Sequence, residues 1–171
     1  APQQKIRFVA QALGIPQRGE RLAARVEAEI AAARDLAQRI ANPPHVLFLY
    51  LRGTDVQQVA GRNTPADVMI TAAGGINAAA DAGIVEFKPL SPEVVIAAQP
   101  DVLLVLAKGL ESVGGVDGLL KIPGLADTLA GRQRRVIALD DLYLLGMGPR
   151  TGQALTDLTI AFYDASQGSR P

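Results

Sequence analysis

Residues 146–152 read Gly-Met-Gly-Pro-Arg-Thr-Gly, a glycine-punctuated run with one guanidinium inside it. Between a strand and a helix, spaced glycines let the N–H groups of the helix start approach an anion, and the helix dipole adds a few tenths to ~1 kcal/mol. Arg150 suits a carboxylate or phosphate met in fork geometry. A dinucleotide site is disfavoured, because the spacing is G-x-G-x-x-x-G, Pro149 interrupts it, and no later strand–helix unit supplies a ribose-binding acid. Two readings of Arg150 stand: an anion contact, or an internal pair with Asp140, Asp141 or a neighbouring carbonyl.

Other reactive side chains are few. His45 is the sole imidazole; at the amino end of a predicted strand, it reads as a solvent-facing or capping residue rather than a ligand. One His and no Cys exclude thiolate metal sites, iron–sulfur clusters, cysteine nucleophiles, disulfides and any site of two imidazoles. No Gly-x-Ser-x-Gly occurs, and His45 is remote from any serine on a strand-to-helix turn, so no Ser-His-acid triad is expected. Asp140-Asp141 and Lys108 follow strands in the inverse of the order phosphoacceptor chemistry uses. Arg52, Tyr50, Tyr143 and Met147 fall near strand ends. Tyr143 and Met147 suit the wall of an apolar planar pocket, whereas Tyr50, inside a buried strand, reads as core.

Strands and helices must bring these residues to one place. Residues 4–13 carry Ile6, Val9, Ala10 and Leu13 at helical spacing and run into Gly14. Residues 20–41 form a long amphipathic helix with an Ala-rich stripe, ended by Asn42-Pro43-Pro44. Residues 46–51 are a continuous apolar run, as in a strand covered on both faces. Thr64-Pro65-Ala66-Asp67 and Ser91-Pro92-Glu93 open helices through 73 and about 99. A weak strand at 83–87, strands at 101–107 and 135–139, a helical turn near 125–129 and a last helix at 153–165 complete the alternation; 166–171 read as a frayed tail. Strands separated by helices predict an α/β fold: a three-layer parallel sheet of four to five strands with helices on both faces, preceded by the long helix. Ligands of such sheets sit beyond the strand carboxyl ends, which directs attention to the loops 52–63, 108–123 and 140–152.

Composition narrows the function further. The chain has 171 residues, 49% apolar, with 17 basic against 17 acidic side chains. That length supports one core without disulfide or metal, and zero net charge removes the field that nucleic acid or anionic membranes need. The apolar runs are far shorter than the ~20 residues of a membrane span. With neither an initiator Met nor a signal sequence at its start, the chain reads as processed or as part of something longer. No credible set of nucleophile, base or metal ligands argues for an enzyme.

The strings "VLFLYLRG", "AGRNTPAD", "PEVVIAAQPD" and "GMGPRTG", behind a long Ala/Glu/Arg helix, resemble the carboxy-terminal half of haem-binding substrate-binding proteins of bacterial ABC importers. "PEVVIAAQPD" is shared with the wider helical-backbone class that binds cobalamin and ferric siderophores, whereas "AGRNTPAD" with "GMGPRTG" points to the haem branch. The resemblance implies a Rossmann-like lobe: residues 1–19 a remnant of the amino lobe, 20–41 the joining helix, 42–171 the carboxy-terminal ligand-binding lobe. It implies haem as transported ligand, held between lobes. Arg150 is then expected to face the haem propionates or support a ligating Tyr from the amino lobe, with Gly148 in the same loop. Arg52 and the "AGRN" loop would line the other side, with Arg62 as a second propionate contact, and Tyr143 or Met147 would touch the macrocycle or the sixth iron position, the iron ligand being unassigned. Glu93 matches the carboxylate that docks on the membrane permease, although any acid in a first helical turn is also stabilised by the dipole. Expected partners are haem, the permease and the amino lobe, with no nucleic acid. The expected location is periplasmic or otherwise extracytoplasmic, lipid-anchored in monoderm hosts. Alternatives are a cobalamin or siderophore lobe, a small enzyme acting on a phosphorylated substrate, and a lobe that homodimerises through the face left open by the missing half, which the Ala-rich stripe of the long helix would support.

Overall fold

In the computed structural model, which describes residues 1–167, the apolar run becomes β1 (His45–Arg52), in which Val46–Leu49 and Leu51 are wholly buried and Tyr50 is half-buried. β5 (Val102–Leu106) lies parallel to it, with Val46 opposite Val102 and Leu49 opposite Val105. β6 (Val136–Leu139) lies parallel beyond β5. Alternation splits these strands between two cores. Val46, Phe48, Val102, Leu104 and Leu106 point to one face, Leu47, Leu49, Leu51, Leu103 and Val105 to the other. Near-continuous apolar strands of this kind persist only where helices cover both faces.

The other flank departs from a purely parallel sheet. β2 (Val56–Ala60) folds back antiparallel on β1 through a three-residue turn in which Gly53 has φ +60°, and β4 (Phe87–Pro89) lies antiparallel on β2. β3 (Ile76–Asn77) pairs with the amino end of β1. The described sheet thus has six strands in the order β4-β2-β1-β5-β6, with β3 on β1. The expectation of four to five parallel strands missed β2 because Val-Gln-Gln-Val-Ala, buried only at its end, reads as loop. The strand expected at 83–87 begins instead at Phe87, since Gly83 and Glu86 both take positive φ.

α2 (Pro16–Ala37), α3 (Pro65–Ala72) and α10 (Thr151–Gln167) cover the first face, meeting it through Val26, Ile30, Ala33, Ile70, Leu158 and Phe162. α4 (Ala78–Asp81), α5 (Pro92–Ala98) and α8 (Leu129–Arg132) lie on the second with Leu119, Ile122 and Leu125. α2 starts one turn earlier than expected, with Pro16 at its first position, where the missing N–H costs nothing. Its small-residue stripe lets helices approach closely. A Cβ on Gly19 would fall 2.2 Å from the Ala10 Cβ of α1 (Pro2–Ala12), and one on Gly152 would fall 2.3 Å from the Glu29 Cβ.

The caps read from sequence form. Thr64 Oγ1 accepts from the Asp67 N–H at 3.1 Å, and Ser91 Oγ from the Val94 N–H at 3.4 Å. The glycine-rich stretch after β5 is helical, as α6 (Ala107–Ser112) and α7 (Gly115–Leu119), and the stretch after β6 holds α9 (Asp141–Leu145). Of the expected frayed tail, Ser166 and Gln167 belong to α10, and the rest lies outside the described residues. Among those described, no helix is long and apolar enough to cross a membrane.

Candidate functional site

Parallel strands deliver their carboxyl ends to one edge, and here that edge gathers Arg52 at the end of β1, Lys108 after β5, and Asp140 and Asp141 after β6. α9 is its centre. Asp140 caps it, accepting from the Tyr143 N–H at 3.0 Å. Asp141 Oδ2 accepts from Arg52 Nη2 at 3.0 Å, tying the end of β1 to the helix after β6. Arg52 Nη1 donates to the Leu51 carbonyl, and its guanidinium carbon lies 4.6 Å from the centre of the Tyr50 ring, within cation–π range. Tyr50 is therefore half-buried beneath Arg52, with Phe87 edge-on at 6.1 Å, rather than closed in the core as expected. Asp141 Oδ1 is buried without a hydrogen-bond partner among the described residues.

The middle of α9 carries Tyr143, whose hydroxyl donates to Asp157 Oδ2 at 2.7 Å. Arg150 lies over the same ring, 5.3 Å from its centre. The internal-pair reading of Arg150 is not met: Arg52 holds Asp141, Asp140 turns to the Tyr143 N–H, and no carboxylate or carbonyl among the described residues takes the Arg150 guanidinium. Burial pushes the Tyr143 phenol up to about 12, helped by the hydrogen bond to Asp157 and its charge, with Arg150 pulling the other way. Tyr143 is a neutral phenol at physiological pH.

This phenol makes a testable contribution to stability. The folded chain keeps the Tyr143 proton where the unfolded chain, at about 10, has begun to lose it. The contribution is complete below about pH 10 and is lost as pH rises through 12. Tyr143→Phe is expected to flatten the alkaline limb of stability, read as urea midpoints between pH 9 and 11; an unchanged limb would contradict it.

The 146–152 segment is held at both ends. Lys5 Nζ of α1 donates to the Gly146 carbonyl at 3.3 Å, and a Cβ on Gly146 would strike the Leu142 carbonyl at 2.3 Å. Thr151 Oγ1 donates to the Gly148 carbonyl at 2.8 Å. Gly152 serves helix packing rather than a phosphate, which is why the dinucleotide spacing means nothing here. Met147, at φ +47°, packs half-buried on the first core, and Gly148 faces an apolar groove of about 390 Å³ shared with Ile6, Val9, Leu13 and Leu22.

Not every expected residue joins this cluster. β2 runs back toward the amino end of β1, so Arg62, two residues past Ala60, sits at the opposite edge, donating to the Ala80 carbonyl at 3.1 Å. His45 lies at that same far edge between Asp81 and Asp101, at 3.8 and 3.5 Å, with its side chain partly exposed. Glu93 is exposed in the first turn of α5, on the sheet face opposite α10, and the Ser91 side chain and its own N–H hold its carboxyl below the usual range. Sequence reading missed Asp157, because its partner is fourteen residues away on another helix and no local spacing marks it. Among the described residues, no cluster of three or more His, Asp or Glu could hold a metal ion.

Comparison with known proteins gives this arrangement a family. No curated protein matches the chain. The periplasmic heme-binding protein RhuT from Roseiflexus sp. RS-1, in apo form, superposes with a TM-score of 0.96 at 94% identity, over 98% of this chain and 64% of that one. The periplasmic heme-binding protein BhuT, in complex with two hemes, gives 0.87 at 44% identity, over 96% and 62%. HutB of Vibrio cholerae, also a periplasmic heme-binding protein, gives 0.78 at 35%, over 90% and 59%. The chain thus spans less than two thirds of the length of these relatives. Residues 3–143 match the family model described as periplasmic binding protein, and with that match covering most of its length the chain belongs to the periplasmic binding protein family.

Proposed function

We propose that the chain is the carboxy-terminal lobe of the haem-binding component of a bacterial ABC importer, working outside the cytoplasm and binding rather than transforming its ligand. The likeness to heme-binding relatives motivates the reading. The observation that gives it chemistry is Arg150, a guanidinium with no carboxylate partner among the described residues, resting on an aromatic ring at the ligand edge of the sheet. Haem offers a flat apolar face and two carboxylates, and this edge offers aromatic and thioether surface beside the Arg150 guanidinium. Arg150 is the propionate contact. Tyr143 and Met147 face the macrocycle, and Arg52, already held by Asp141, has a secondary role. Arg62 stays outside this assignment, because it stands at the other edge.

The exposed apolar side of α1, with Phe8 74% and Leu13 67% accessible, is where we place the amino lobe of the longer protein. Absorption titrations of the chain with hemin, cobalamin and a ferric siderophore test the ligand class. Saturable binding of hemin alone is expected, and saturation by either of the others without hemin would contradict the reading.

We place permease docking at Glu93, next to the exposed Ile96 on α5. Glu93→Ala is expected to leave hemin affinity unchanged while lowering stimulation of transport by the complete importer severalfold, through loss of a charged contact to the permease. Stimulation at the wild-type level would remove Glu93 from the interface.

A further inference from the structure

The Asp157 carboxylate makes the shortest side-chain hydrogen bond of the cluster, 2.7 Å from the Tyr143 hydroxyl. It stands seven residues beyond Arg150 on α10, a helix fixed in the core by Leu155, Leu158 and Phe162. Its orientation is thus inherited from packing rather than from a mobile loop. A carboxylate near an arginine usually captures it. Here the phenol takes the carboxylate, and the guanidinium lies on the ring instead.

We propose that Asp157 is a positioning residue of the ligand site: by holding the Tyr143 hydroxyl it fixes the ring as a shelf for the Arg150 guanidinium, whose N–H groups stay available to a carboxylate of the ligand. The proposal rests on the haem reading above and deepens it. An arginine side chain is rich in rotamers, and a shelf that restricts it lowers the cost of ordering it on binding. The ring must also remain neutral to present an unionised π-face, and a carboxylate on its hydroxyl opposes ionisation. Tyr143 therefore serves as surface rather than as an iron ligand, since Fe(III) takes phenolate.

The test is a double-mutant cycle on the chain, read as hemin affinity. Asp157→Ala is expected to weaken binding about three- to tenfold, the loss of one ordering contact. Asp157→Asn, which keeps an acceptor oxygen, should retain most of the affinity. In a Tyr143→Phe background, Asp157→Ala should cost nothing more. Equal losses in both backgrounds, or no loss in either, would overturn the proposal. A second readout is ultraviolet titration of the phenols: Asp157→Ala should bring one tyrosine down towards ordinary ionisation, a change absent in Tyr143→Phe, and an unmoved titration would overturn the proposal as well. A wild-type chain that fails to bind hemin would reject the haem reading and this proposal with it, whereas wild-type binding left intact by Asp157→Ala rejects the proposal alone.

Discussion

Arg150→Ala is expected to weaken hemin binding by about 1.5–3 kcal/mol, roughly ten- to a hundredfold, because one charge-assisted contact to a propionate is lost. The size follows from what Arg150 does not do in the free chain. It holds no carboxylate or carbonyl among the described residues, so its removal leaves no buried partner stranded and the loss falls on the ligand. Arg52 is the contrast. Its guanidinium already bonds Asp141 and the Leu51 carbonyl, and Arg52→Ala would leave Asp141 with neither oxygen satisfied. Its cost should appear in stability before affinity. Arg150→Lys should fall between wild type and alanine, since an ammonium keeps the charge but not the fork. Hemin affinities measured by absorption titration decide this, and an unchanged value for Arg150→Ala would remove the residue from the site.

How far the sequence could see depended on the range of each interaction. Local signals carried through: Thr64 and Ser91 cap the helices they precede, Gly14 ends α1 with φ +70°, and the two central strands are the apolar runs that read as buried. Val-Gln-Gln-Val-Ala was illegible as β2 because an edge hairpin is decided by pairing with β1, although the Gly-Thr-Asp turn was a signal for it. The candidate site divided along the same line. The edge and the arginine followed from strand polarity and the 146–152 spacing. The Asp141–Arg52 and Asp157–Tyr143 partnerships, spanning 89 and 14 residues, had no local mark. Arg62 was misplaced for the same reason: without β2, the segment after β1 was read as one loop at the ligand edge, whereas the hairpin returns it to the far edge.

Phe162→Ala should have the largest effect on the fold, a loss of about 3–5 kcal/mol, as for other buried aromatic truncations. Phe162 is fully buried where α10 crosses the sheet, and its ring fills the space beside Gly75 so closely that a Cβ there would lie 2.8 Å from it. The void cannot collapse easily, because Val46 of β1 and the turn at Gly75 are both anchored by strand pairing. Against a total stability of about 5–15 kcal/mol, such a loss leaves the chain marginal. Since α10 also carries Asp157 and follows Arg150, hemin affinity should fall with it. Urea denaturation measures the first effect; a loss below about 1 kcal/mol would mean the site repacks in a way this architecture does not suggest.

In the proposed function, this lobe recognises a porphyrin through its carboxylates, with Arg150 as the receiving group. Its most direct test is a paired titration of the chain with hemin and with hemin dimethyl ester, which keeps the iron and the macrocycle but removes both negative charges. Saturable hemin binding is predicted, weaker for the ester by about as much as Arg150→Ala weakens hemin, and with no further loss when the variant meets the ester. Equal affinity of the wild-type chain for the two ligands would contradict the claim.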